Sequence, residues 1–122
     1  MKKCKSERKC SIDPTVLDDI YEHALETYPE ECCGILVGLD HGDERVIAQS
    51  HRAKNVSDER RHERYRLDER KLFEVIKATR GRKIDVVGFY HSHPDHSSEP
   101  SQHDIEQAAW PGYTYLIVSV KN

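Results

Sequence analysis

The run "KIDVVGFYHSH", residues 83–93, constrains the fold more than any other part of the chain. It is apolar and β-branched, and it reads as the clearest strand in the sequence. It also ends in His91 and His93, two residues apart. Side chains two apart on a strand share a face, so both imidazoles can be aimed at one point. The segment that follows, "PDHSSEPSQHD", adds His96 and His103, so residues 88–104 hold four of the eight histidines in the chain.

The rest of the sequence supplies partners for that strand. "SIDPTVLDDIYEHALETYPEE" reads as a helix capped by Asp13, with Pro14 in its first turn, Val16, Leu17, Ile20 and Ala24 on one stripe, and Pro29 as its stop. "CCGILVGL" fits a buried strand, "DHGD" a turn and "ERVIAQSHRA" the second arm of a hairpin. The charged stretch from Lys54 to about Arg64 reads as a loop, and "RYRLD" as a short strand. "DERKLFEVIKATRGR" predicts a second helix, capped by Asp68, with Leu72, Phe73 and Ile76 inward and Gly81 just past its end. "SQHDIEQAAW" is a short third helix and "YTYLIVSV" a final strand. Alternating strands and helices argue for an α/β single-domain sandwich, a mixed β-sheet flanked by helices. With 122 residues there is room for one domain: a flexible lead over 1–10, then the folded body over 11–122.

Composition excludes several roles. Charged residues make up 34% of the chain, the net charge is −3, and bases alternate with acids, as in "SDERRHERYRLDER". That is a solvated face rather than a nucleic-acid stripe. No apolar run reaches membrane-spanning length, and "MKKCKSERKC" lacks the apolar stretch of a secretory signal. The expected compartment is therefore the cytoplasm, with reduced cysteines. Cys4 and Cys10 read as incidental thiols in a polar start, and Cys32 and Cys33 as small buried residues.

A third ligand beside His91 and His93 must come from elsewhere, and Asp104 is the best candidate. Ser101 and Asp104 also form S-x-x-D, a helix-capping box. Two histidines and one carboxylate leave the fourth position of a zinc tetrahedron open for water, whose pKa would fall to about 7. A carboxylate must still take the proton. Asp95 and Glu99 lie in the same loop, whereas Glu31 sits where the first helix hands over to a strand.

These pieces together resemble the JAMM (MPN+) zinc metallopeptidase family. Its pattern, an upstream glutamate followed by H-[S/T]-H-x7-S-x2-D, is matched without a gap by His91-Ser92-His93, Ser101 and Asp104. The upstream segment matches as P-x-E-x-C-G-x-L-x-G through Pro29, Glu31, Cys33, Gly34, Leu36 and Gly38. The resemblance implies a cytidine-deaminase-like sandwich, with His91, His93 and Asp104 as zinc ligands. It also implies that Glu31 is the general base and that Ser101 stabilises the oxyanion. The implied activity is a peptidase or isopeptidase using a metal-activated water. The implied partner is a ubiquitin-like or sulfur-carrier protein cut after its Gly-Gly tail, by a monomer or weak dimer. Family members usually continue past the point where this chain stops, Val120-Lys121-Asn122, so a truncated or minimal member is expected.

Other readings compete. His91, His93, Asp95 and His96 match the H-x-H-x-D-H motif of metallo-β-lactamases, but only 26 residues follow His96, with His103 the sole later histidine. A non-catalytic MPN-type binding module would carry no metal. A thiol enzyme would use Cys32 or Cys33 beside a histidine.

Overall fold

The computed structural model describes residues 2–4, 9–108 and 111–121. Over these residues the elements are β1 (Lys2–Cys4), β2 (Lys9–Ile12), α1 (Pro14–Thr27), β3 (Cys33–His41), β4 (Glu44–Ala53), α2 (Glu69–Thr79), β5 (Asp85–Pro94), α3 (Gln102–Gln107) and β6 (Thr114–Val120). The six strands form one mixed sheet in the order β1-β6-β5-β3-β4-β2. β5 runs parallel to β6 and β2 parallel to β4, and the other pairs are antiparallel. α1 covers one face and α2 the other, which is the expected α/β sandwich.

α1 follows its sequence closely. The Asp13 carboxylate accepts from the Thr15 amide at 2.9 Å, Pro14 opens the first turn, and Val16, Ile20, His23 and Ala24 are buried. That stripe packs on Leu36, Tyr90 and Val118. Leu17 is only partly buried. His23 sits inside because its ring Nδ1 pairs with the Tyr90 hydroxyl at 2.7 Å, satisfying both groups. Burial pushes the His23 imidazole down to about 4, so it stays neutral.

α2 is rotated from its expected phase. Leu72, Phe73 and Ile76 were the sequence's inward set, yet Phe73 is 70% exposed and Ile76 39% exposed. The sheet-facing line is instead Leu72, Val75 and Thr79, at helical three-and-four spacing. Thr79 can be buried because its hydroxyl donates to the Val75 carbonyl at 3.1 Å, so hydrophobicity alone marks the wrong face. "RYRLD" likewise forms no strand. Leu67 makes a single bridge to Asn55, and the segment runs as a strap over the sheet. Two strands appear in the polar start, which the sequence treats as a flexible lead: β1 pairs with β6 and β2 with β4, at opposite sheet edges. Cys4's side chain and residues 5–8 lie outside the description.

One irregularity in β5 decides which way the histidines face. Leu36 pairs with Gly88 but Val37 pairs with Val86, so Val87 is an extra residue, a β-bulge. Beyond it the alternation is reset. Val87 and Tyr90 face α1, whereas Val86 and Phe89 face α2. The carbonyl of Val87 is satisfied by the buried Arg45 guanidinium at 2.9 Å, which also reaches the Gly112 carbonyl at 2.7 Å. From Phe89 onward, alternate residues put His91 and His93 on the α2 side.

Gly88 lies against β6 so closely that a Cβ would sit 2.0 Å from the Thr114 carbonyl oxygen. Because that neighbour is backbone, Gly88→Ala is expected to destabilise by about 1–3 kcal/mol. Denaturant unfolding checks this. An unchanged midpoint would show that β5 and β6 can part at no cost.

Candidate metal centre

β5 delivers the two imidazoles and the start of α3 delivers the carboxylate. His91 Nε2 and His93 Nε2 are 3.2 Å apart. Asp104 Oδ1 lies 3.0 Å from the first and Oδ2 lies 2.8 Å from the second. Among the described residues, His91, His93 and Asp104 are the group whose ligand atoms all fall within 4.8 Å of one another. Bonds of about 2.0–2.1 Å to a tetrahedral ion place ligand atoms roughly 3.3 Å apart. The donor set therefore fits a small divalent cation with little rearrangement.

Each donor is held by its surroundings. His93 Nδ1 is 2.7 Å from the Ser97 carbonyl, which keeps a proton on Nδ1, so Nε2, which faces Asp104, is the nitrogen that would give up its proton to bind an ion. The His93 ring also stacks on His96, with centroids 4.3 Å apart. His91 stacks on Tyr65 at 4.5 Å. The Ser101 hydroxyl accepts from the Asp104 amide at 3.1 Å, and Asp104 Oδ2 accepts from the Ser101 amide at 2.8 Å. Both bonds of the capping box are thus present at the helix start that presents the carboxylate.

Electrostatics follow from this packing. Burial drives His91 downward, toward the neutral imidazole a metal requires. His93 moves the other way: burial, the largest single effect, opposes protonation, but the hydrogen bonds to Asp104 and the Ser97 carbonyl, together with the charges of Asp104 and Glu31, outweigh it. Burial would raise Asp104, yet the hydrogen bonds from His91 and His93 prevail and hold it well below the usual carboxylate range.

Glu31 enters from the segment leading into β3, two residues before its start. Cys33 pairs with His91 in the antiparallel register, and continuing it by two residues sets Glu31 opposite His93. The ladder does continue, since the Ser92 amide donates to the Cys32 carbonyl at 3.1 Å and the Ser92 hydroxyl accepts from the Cys32 amide at 2.8 Å. Glu31 is 2% exposed, and its Oε1 has no hydrogen-bond partner among the described residues. A buried polar atom left unpaired beside three converging donors is a second sign that something is meant to occupy the space. Burial, the largest effect, raises the Glu31 carboxyl to about 8, against the pull of the His93 charge.

The structure therefore brings together His91, His93, Asp104 and Glu31, with Ser101 at the rim. It sets the other loop candidates apart. Asp95 takes the Tyr28 hydroxyl, Glu99 is exposed, and His103 lines an outer cleft of about 600 Å³ with Ser101, Arg64 and His96. Cys32 and Cys33 are buried, and desolvation pushes both thiols up, Cys32 to about 11, which does not suit a nucleophile. Tyr65, Asn55 and Arg61 were not legible as site residues. The Asn55 side-chain amide donates to the Glu31 carbonyl at 3.1 Å and the Arg61 carbonyl accepts from the Glu31 amide at 2.7 Å, contacts that no motif encodes.

Comparison with known proteins gives the chain's family. The family described as prokaryotic homologs of the JAB domain matches residues 13–122. The chain belongs to that family. Relatives of this prokaryotic JAB domain include the desampylase of Haloferax volcanii, 39% identical over 115 residues, spanning 91% of this chain and 81% of the relative. Another is the CysO-cysteine peptidase of Mycobacterium tuberculosis, 32% identical over 113 residues, spanning 91% and 73%. Solved structures of a Desulfitobacterium hafniense protein (28% identity, TM-score 0.80, 90% of this chain and 74% of that one) and a Salinibacter ruber protein (44%, TM-score 0.67, 91% and 73%) are similar throughout. A JAB1/MPN domain protein from Archaeoglobus fulgidus, at 23% identity and TM-score 0.59 over 89% and 77%, shares the fold.

Two outcomes are expected of this JAB domain. Elemental analysis should find about one divalent ion per chain, and Asp104→Ala should lose most of it. Equal metal content in the variant would remove Asp104 from the ligand set. In chelated protein, Glu31 keeps its proton to about 8, whereas the unfolded chain releases it near 4.5. Stability from this group is full below the lower value and is lost as pH rises through the upper one. Glu31→Gln should therefore out-stabilise the chelated wild type at pH 7–8 and match it near pH 4. Parallel unfolding curves at all pH values would contradict the buried-acid reading.

Proposed function

We propose that this chain is a zinc-dependent metallopeptidase or isopeptidase of JAMM type. Its substrate would be the amide after the C-terminal Gly-Gly tail of a ubiquitin-like or sulfur-carrier protein. The observation that carries this reading is the buried Glu31 carboxyl, whose Oε1 has no partner among the described residues, set opposite His93 by the β3–β5 register, beside the converging donors of His91, His93 and Asp104. The relatives named desampylase and CysO-cysteine peptidase support the substrate class.

His91, His93 and Asp104 would hold the ion, whose bound contribution is to polarise the scissile carbonyl and to acidify a water. Glu31 takes the proton released when water attacks and delivers it to the leaving amine. The carboxyl suits this task because burial raises its pKa while neighbouring positive charge lowers it, keeping it near neutrality. It is not a ligand in this scheme, so it remains free to exchange protons. Ser101 accepts from the Asp104 amide through its oxygen, which leaves its hydroxyl hydrogen to meet the developing oxyanion. His91 gains rigidity from the Tyr65 ring, and His93 from His96 and the Ser97 carbonyl. The outward cleft beyond Ser101 gives the leaving group a way out.

No helix among the described residues is long and apolar enough to cross a membrane, which suits a substrate met in solution. The cytoplasm remains the proposed compartment.

The test is cleavage of a ubiquitin-like protein extended past its Gly-Gly tail. Chelator should abolish cleavage and thiol alkylation should spare it. Glu31→Gln should retain metal and lose activity by a factor on the order of 10³ or more. Full activity in that variant would refute the mechanism. Ser101→Ala should slow turnover about 10²-fold with metal kept, whereas unchanged turnover would return Ser101 to capping alone. A metal-free, inactive chain would mark a binding module instead.

A further inference from the structure

The stretch between β4 and α2 is mostly charged and exposed, yet one residue in it is bonded in every direction. Asn55 is half-buried, and its side-chain amide uses all of its hydrogen-bonding capacity. Nδ2 donates to the Glu31 carbonyl at 3.1 Å and to the Arg64 carbonyl at 3.0 Å. Oδ1 accepts from the Ser57 and Arg66 amides, both at 3.1 Å. The same strap takes the other half of Glu31's main chain, because the Glu31 amide donates to the Arg61 carbonyl at 2.7 Å. Residues 55–66 thus close around the Asn55 amide and grip Glu31 by both backbone groups. Tyr65, stacked on His91, belongs to the same strap.

Glu31 needs this grip. Its Oε1 has no partner among the described residues, so hydrogen bonds at that oxygen do not orient the carboxyl. It lies two residues before β3, and the bonds that tie this segment to β5 end at Cys32, so the main-chain groups of Glu31 are held by the strap and not by β5. The direction of the carboxyl then depends on where its Cα is held.

We propose that Asn55 is a positioning residue for Glu31, clamping the main chain of the proton-transfer group through the amide's donor side. This rests on the role given to Glu31 above. The clamp is separable from the rest of the loop because Asn55 divides its bonds. Its oxygen organises Ser57 and Arg66, while its nitrogen ties Arg64 to Glu31.

Asn55→Asp has nearly the same size and keeps the acceptor side. It sets a carboxylate oxygen against the Glu31 and Arg64 carbonyls. With metal-loaded protein and the tail-extended ubiquitin-like substrate, kcat should fall at least ~10-fold while KM stays within about twofold, since misplacement of a catalytic group by a fraction of an ångström is felt in turnover. Metal content should be unchanged. Ser57→Ala, which removes only the hydroxyl bond to the Glu59 carbonyl, should keep wild-type kcat. A second measurement needs no activity: amide hydrogen exchange at Glu31 should quicken about tenfold in Asn55→Asp while exchange at Leu36 does not change. Wild-type kcat together with wild-type Glu31 exchange in Asn55→Asp would overturn the proposal, as would an equal kcat loss in Ser57→Ala. If the wild type fails to cleave, or Glu31→Gln stays active, the proposed role of Glu31 fails, and the exchange measurement still decides the clamp.

Discussion

The antiparallel register between β3 and β5 is the constraint on which the rest of this molecule depends. Cys33 opposite His91 is one pair in a ladder that runs from the core to the site. A slip of one residue would turn Glu31 to the opposite face of the sheet from His93. Several features hold the register. Gly34 lies so close to the Tyr90 ring that a Cβ would sit 2.1 Å from it. Ser92, between the two histidines, is fully buried and takes the Cys32 amide on its hydroxyl. At the far end Arg45 satisfies the carbonyl that the Val87 bulge would otherwise leave open. The bulge matters as much as the pairing, because it turns the end of β5 so that His91 and His93 face the strap and α3.

The capping and ligand readings of Ser101 and Asp104 are compatible. One carboxylate has two oxygens and several lone pairs. Asp104 Oδ2 accepts from the Ser101 amide and from His93 at the same 2.8 Å, while Oδ1 meets His91. The capping bonds hold the carboxylate at a fixed direction before any ion arrives. A helix of six residues has little stability of its own, so the local bonds at its start and the long-range bonds to β5 support each other.

The parts of this design that are local in sequence were readable from it. His91 and His93 share a face because strands alternate, and Ser101 with Asp104 is a spacing that caps helices. Asp13 and Asp68 announce their helices by position, and both make the expected bonds. Parts that depend on distant contacts were not readable from the residues alone. Nothing around Glu31 in the sequence shows that it meets His93, and only the family resemblance singled it out. The face of α2 was misjudged because Thr79 hides its hydroxyl on its own helix and can be buried, while Phe73 is left in water. The strands at the start of the chain are short and polar, and take their geometry from β4 and β6. Asn55 carries no signature, since its partners are main-chain groups scattered from Glu31 to Arg66.

X-ray absorption at the zinc edge of metal-loaded protein tests the central claim most directly. The expected spectrum shows a first shell of nitrogen and oxygen near ~2.0 Å with the outer-shell scattering of two imidazoles. That scattering should drop to a single imidazole in His93→Ala. A sulfur shell near ~2.3 Å, drawn from the cysteines of β3 or the chain's start, would contradict it.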